Sequence, residues 1–150
     1  MRPLQPHRQG SERYWFVSAE RFMAGVTALK DLFAALDPRP DCVVGIKRSG
    51  LFPAVYLSHV FELPMFTDGE AKVFPGDKFS RPVVVDTTVW SGVSVRRTYN
   101  RLMRAGVPAE SIAALAIWVR DDPRPDVDRL HYLELTDRIM HFWYDEEELP

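Results

Sequence analysis

A chain of 150 residues that is 46% hydrophobic and 27% charged has the apolar content of a packed globular domain, which excludes a wholly disordered chain. Its formal net charge of -2, without a basic block, argues against a nucleic-acid surface, and no apolar run approaches the ~20 residues of a membrane helix. A single cysteine, Cys42, rules out an internal disulfide, and residues 1–10 hold no apolar stretch of signal-peptide type; both features predict a cytoplasmic protein.

Residues 1–13, rich in Pro, Gln, Arg and Gly, predict a loose N-terminal arm. Ser18 is a helix cap, and Phe22, Val26, Leu29, Phe33 and Leu36 step by helical spacing into one apolar stripe. Asp37-Pro38-Arg39-Pro40 ends that helix. Residues 42–46 read as a strand buried on both faces, with Cys42 inside rather than reactive. The loop 47–50 leads to a helix over 52–61, where Pro53 fits the first turn, and residues 64–67 form a candidate strand. Residues 67–81, with Gly69 and Pro75-Gly76-Asp77, lack periodicity and predict a loop or hairpin. A strand follows at 83–86, then a helix over 93–105 closed by Gly106, a strand over 112–119 and a loop over 120–128. Two short segments, 130–135 and 139–144, end the pattern, and Asp145-Glu146-Glu147-Glu148 reads as a solvated tail. Alternating strands and helices predict one α/β domain over 1–150, with a mostly parallel twisted sheet flanked by helices.

In such a sheet ligands sit beyond the C-terminal strand ends, where two loops fall. One is Asp86-Thr87-Thr88-Val89-Trp90-Ser91-Gly92-Val93-Ser94. An acid leaves a buried strand, and Ser91-Gly92-Val93-Ser94 opens a helix whose free N–H groups suit a phosphate, unless the serines merely cap it. The other is Lys47-Arg48-Ser49-Gly50, which reads as an anion clamp or, alternatively, as a solvated basic turn. The four histidines, His7, His59, His131 and His141, are scattered without metal-ligand spacing.

The first loop resembles the phosphoribosyl-pyrophosphate (PRPP) signature of type I phosphoribosyltransferases: apolar strand, two acids, a short variable stretch, then Thr-Gly-x-Thr. Asp86 falls on the first acid and Ser91, Gly92 and Ser94 on the phosphate-loop positions. Residues 46–54, Ile-Lys-Arg-Ser-Gly-Leu-Phe-Pro-Ala, resemble the family's pyrophosphate loop. The segments 116–120 and 141–144 resemble the purine-salvage branch, including the xanthine–guanine enzymes. The resemblance implies a small C-terminal hood segment on the sheet, and transfer of phosphoribosyl from PRPP to a nucleobase, a purine by this pattern, with release of pyrophosphate. It implies catalytic roles for Asp86 and Arg48. Asp86, Thr87, Thr88, Ser91, Gly92, Val93 and Ser94 would hold ribose and 5′-phosphate, and Lys47, Arg48, Ser49 and Gly50 the pyrophosphate. Trp90, Arg120, Phe142 and Trp143 would meet the base. Mg²⁺ is the implied cofactor, carried mainly by the substrate, with Asp86 as its protein ligand.

Three departures stand out. Thr87 replaces the family's second acid, and Trp90 replaces an Asp near the base. The loop at 67–81 is shorter than the lids of catalytic relatives, with Lys72, Lys78 and Arg81 as its cations. These departures favour, as the alternative, a regulatory or non-catalytic nucleotide- or PRPP-binding protein; an enzyme for a pyrimidine or modified base is a third reading. The partners expected are PRPP and a nucleobase, with no nucleic acid and no membrane. A homodimer or higher homo-oligomer is open, since Tyr14, Trp15, Val55, Leu57 and Phe61 suit an interface or a core alike.

Overall fold

The computed structural model describes residues 5–6 and 14–143. Its elements run β1 (Gln5–Pro6), β2 (Tyr14–Val17), α1 (Ala19–Ala34), β3 (Cys42–Gly45), α2 (Leu51–Phe61), β4 (Met65–Thr67), β5 (Pro82–Val89), α3 (Val93–Arg104), β6 (Ala113–Arg120), β7 (Leu130–Thr136) and β8 (Ile139–Phe142). Short 3-10 turns lie at Glu70–Val73 and Ala109–Ser111. No helix of the described residues is long and apolar enough to cross a membrane.

Five strands form one wholly parallel sheet in the order β4-β3-β5-β6-β7. The chain passes from β3 outward to β4, then returns to the other side of β3 for β5 and continues away from it. The strand order therefore reverses between β3 and β5, and a crevice opens at their C-terminal ends.

Each face of the sheet carries its own core. Ser18 caps α1 by accepting the Arg21 N–H at 3.1 Å. The α1 stripe of Phe22, Val26, Leu29 and Phe33 packs with Ala54 and Leu57 of α2 on Val83, Val85, Leu115 and Ile117. The opposite face presents smaller residues, Ala114 and Ala116 beside Val44 and Val84, to Val95, Tyr99 and Leu102 of α3. Trp118 is fully buried, and its indole N–H donates to Glu134 Oε2 at 3.0 Å while the other carboxylate oxygen pairs with Arg21. Leu57 is core and Phe61 stacks on Phe33 at 4.1 Å, whereas Val55 and Phe52 are about half exposed (54% and 49%). Cys42 is fully buried, and burial, reinforced by the charge of Asp41, pushes its thiol pKa up, as an unreactive thiol requires.

The ends of the described chain differ from the sequence expectation. Within the arm expected at 1–13, Gln5 and Pro6 pair antiparallel with Phe16 and Trp15; residues 1–4 and 7–13 lie outside the described residues. Strand β2 pairs in parallel with β8, so the three-strand sheet β1-β2-β8 is built from both ends of the chain and not from the C-terminal segment alone. The expected tail at 145–148 also lies outside the described residues.

Candidate active site

Strand β5 runs past β3. Their register ends at Gly45 opposite Val85, but β5 continues through Asp86, Thr87, Thr88 and Val89, still paired with β6. The sequence placed the strand end at Asp86. The β-branched Thr87, Thr88 and Val89 extend it, since such side chains suit the pleated backbone. The result is a four-residue ledge with one open edge.

The loop 46–50 folds onto that ledge. Ile46 N donates to Val85 O at 3.0 Å, and the Ser49 and Thr87 hydroxyls meet at 2.7 Å. Gly50 is fixed by space: a Cβ there would sit 2.5 Å from Ile46 O and 2.6 Å from Val85 O. The Lys47–Arg48 peptide is cis. Both side chains of that pair are exposed, and among the described residues neither charged group has an ion pair or hydrogen bond. Lys47 N donates to Asp68 Oδ1 at 3.1 Å, which brings the turn after β4 to the same crevice.

Asp86 stands between the two loops. Burial pushes its carboxyl up to about 7; the Thr87 N–H, donating to Oδ1 at 2.8 Å, pulls it partly back, and the charge of Asp68 adds to the upward push. Thr87, by contrast, is 1% exposed and its hydroxyl is engaged with Ser49. It ties β5 to the loop 46–50. Thr88 Oγ1, two residues beyond Asp86, is buried and has no hydrogen-bond partner among the described residues. Thr87→Val should lower stability by about 1–2 kcal/mol, because the Ser49 hydroxyl loses its partner. The double variant Thr87→Val/Ser49→Ala should recover most of that loss in urea unfolding, and equal losses in single and double variants would show that the unpartnered Ser49 hydroxyl is not its cause.

Across the crevice, Gly92 caps α3 with φ +82, a conformation L side chains rarely adopt. Ser91, the residue before that cap, accepts from Val93 N at its Oγ at 3.3 Å, so it bonds the first turn without being the cap itself. The loop is held from outside by Arg96, whose Nη1 donates to Ser91 O and to Asp126 O, both at 3.1 Å. Val93 and Ser94 are exposed at the first turn, where a helix offers unpaired N–H groups.

Of the four residues expected at the base, the structure brings two together. The Arg120 guanidinium lies over the Trp90 ring, 4.5 Å from its centroid, at the ends of the neighbouring strands β6 and β5. Phe142 is 7% exposed and packs edge-on to Phe22 and near Trp118, and Trp143 also packs on Phe22. Phe142, paired opposite Val17, belongs to the aromatic core of the α1 face, and Trp143, just past β8, is half-buried against the same core.

The loop after β4 is anchored. Phe66, Phe74 and Phe79 cluster at 5.1 to 6.3 Å, Asp41 accepts from Ser80 N and Arg81 N, and Arg81 Nε donates to Arg39 O. Sequence reasoning missed Asp68 and Arg96. Asp68 follows a strand just as Asp86 was read to do, and that signal was available; Arg96 acts through a backbone carbonyl 30 residues away and left none.

No family model matches the sequence, and no curated protein matches it. Solved structures do. The purine phosphoribosyltransferase from Pyrococcus horikoshii superposes with a TM-score of 0.71 at 21% identity, covering 92% of this chain and 96% of that one. The xanthine-guanine-hypoxanthine phosphoribosyltransferase of Helicobacter pylori gives 0.73 at 18% identity, covering 89% and 95%. A protein from Neisseria gonorrhoeae with bound ppGpp gives 0.71 at 14% identity, covering 91% and 92%. The chain has the fold of the type I phosphoribosyltransferases.

Proposed function

We propose that this chain is a single-domain enzyme that transfers a phosphoribosyl group from PRPP to a nucleobase, a purine by its sequence pattern, and releases pyrophosphate. The observation that carries this reading is the crevice at the strand-order switch. It has on one wall two cations with no ion pair among the described residues, a glycine-capped helix start on the other and a buried carboxylate between. The similarity to purine phosphoribosyltransferase structures supports it as a likeness of fold.

In this mechanism the α3 N-terminus, Ser91, Gly92, Val93 and Ser94 hold the 5′-phosphate, and Asp86 orients the ribose hydroxyls. Lys47 and Arg48, with the Ser49–Gly50 backbone, stabilise the charge that develops on departing pyrophosphate. A base nitrogen attacks C1′ from the opposite face, so positioning and electrostatics supply the catalysis and no covalent enzyme intermediate is required. Arg120 and Trp90 border the base, one as a donor to an exocyclic oxygen and one as an apolar wall. Among the described residues no group of three acids, histidines or cysteines could cage a metal ion. Mg²⁺ is compatible with that donor set, since it is commonly held by one or two carboxylates plus substrate phosphates, and Asp86, with one oxygen free of the Thr87 N–H, fits that role. When bound, it would neutralise pyrophosphate charge. The half-exposed Phe52 and Val55 support self-association, and the lone buried thiol a cytoplasmic setting.

A second reading, binding of PRPP or a nucleotide without turnover, is favoured by two observations. Thr87 carries no charge and spends its hydroxyl on Ser49, and the loop after β4 is tied down by its own aromatic cluster. Calorimetric titration of PRPP with and without Mg²⁺, followed by a panel of purine and pyrimidine bases, separates the readings. The expected result is Mg²⁺-dependent PRPP binding and pyrophosphate release with one purine. Binding without release would establish the second reading; release with a pyrimidine alone would overturn the purine assignment.

A further inference from the structure

The net charge of -2 conceals a strongly basic face. Helix α3 contains four arginines and no acid in its twelve residues. Three of them, Arg97, Arg101 and Arg104, recur at spacings of four and three and so share one side of the helix. Opposite that side lies the 3-10 turn Glu70–Val73, which contributes Lys72. Together Lys72, Arg97, Asn100, Arg101 and Arg104 line a half-open cavity of about 340 Å³.

Part of this cluster has an ordinary explanation. Arg101 and Arg104 stand in the last turn of α3, where cations complement the helix dipole, and Arg101 Nη1 donates to Asp68 O at 2.9 Å. That account does not reach Arg97, one turn after the helix start where the dipole disfavours a cation, or Lys72, which comes from another element. None of the three ion pairs among the described residues involves a lining residue. No acid lines the cavity, and the side chains of Lys72, Arg97, Asn100 and Arg104 make no hydrogen bond among the described residues. Like charges at i,i+4 on a helix destabilise it unless something offsets them. Four cations converging without a carboxylate on a cavity at the small end of the ligand-pocket range, ~300–1,000 Å³, call for a compact anion of high charge.

We propose that this cavity is a second anion site, separate from the crevice at β3 and β5, that takes a chain of two or three phosphates, either free or as the polyphosphate moiety of a nucleotide. Lys72, Arg97 and Arg104 are the primary contacts and Asn100 donates from its amide, while Arg101 stays bound to the Asp68 carbonyl.

The test is calorimetric titration of inorganic tripolyphosphate, pyrophosphate and orthophosphate into the full chain and into Arg97→Ala/Arg104→Ala. Both substituted residues are exposed, and Arg101 is left in place, so the variant retains its fold by circular dichroism. Tripolyphosphate should bind more tightly than pyrophosphate, and pyrophosphate more tightly than orthophosphate. The double variant should lose one class of tripolyphosphate site, with affinity there falling at least roughly tenfold, while its PRPP titration is unchanged. Nucleoside triphosphates run alongside distinguish the sources: tighter binding than tripolyphosphate marks a nucleotide, equal or weaker binding the free chain. Unchanged tripolyphosphate binding in the variant, or none in the wild type, would overturn the site. A short single-stranded RNA that binds the wild type more tightly than tripolyphosphate, and is lost in the variant, would overturn it in favour of a polynucleotide surface. Loss of the tripolyphosphate site in a protein that binds no PRPP would retain this site and remove the transferase reading.

Discussion

Replacing Asp86 with Asn should make the free protein more stable at pH 8 while weakening its hold on PRPP. The physical cause is the buried carboxyl, whose pKa rises to about 7 because burial disfavours its charge. In the unfolded chain the same group ionises near pH 4. Between those values the native state keeps a proton that the unfolded chain has released, so stability falls as pH rises from about 4 to 7 and stays low above. Asn removes the charge and preserves an acceptor for the Thr87 N–H. At pH 8 the gain should be roughly 2–4 kcal/mol, and at pH 3.5 close to none. PRPP affinity should fall roughly tenfold to a hundredfold with the loss of a charge-assisted bond to the ribose. Urea unfolding at the two pH values and PRPP calorimetry measure both halves. A variant less stable than wild type at pH 8 would contradict the buried charge, and unchanged PRPP affinity would remove Asp86 from the site.

Gly50→Ala should be the most damaging single methyl in the crevice. Gly50 has φ -65, which any residue can adopt, so conformation is not the issue. Its Cβ would press on Ile46 O and Val85 O and approach Asp86 Cα at 3.1 Å, all backbone atoms that move only with the strands they belong to. A cost of about 3 kcal/mol is expected, at the upper end for overpacking, with PRPP binding lost as the clamp loop lifts from β5. Gly69→Ala is the matched control. It would meet chiefly the Lys47 Nζ, at 3.0 Å, the free end of a flexible side chain that can swing aside. Its stability should stay within about 0.5 kcal/mol of wild type. Equal thermal midpoints for the two variants would show that the close approach at Gly50 carries no weight.

The parallel sheet was legible because its central strands are nearly all apolar. Cys42–Gly45, and Ala113–Arg120 except for its last residue, are buried on both faces, and composition alone reveals that. The α1 stripe was legible for the same reason, since burial follows helical spacing. What escaped was pairing at long range. Tyr14–Val17 is only four residues long, and its partner lies 125 positions away, so neither half of that ladder has a local signature. The same ladder explains why Phe142 looked like a base-stacking residue: an aromatic near the chain end carries no sign of which way it faces. The two glycine loops were legible through their motif, but the Thr87–Ser49 contact was not, because a hydroxyl in an acid's position does not disclose that it has been recruited as a brace.

The Arg96 guanidinium joins Ser91, early in the phosphate loop, to Asp126, in the connection between β6 and β7. A ribosome delivers these parts in order, and the clamp loop and phosphate loop emerge well before Asp126. Until β6 has entered the sheet and the chain has crossed back toward β7, the Arg96 guanidinium can reach Ser91 O but has no Asp126 carbonyl to brace it. The brace between Ser91 and Asp126 is therefore completed late in synthesis, and nascent chains that end before Asp126 possess both loop motifs yet lack one end of that brace.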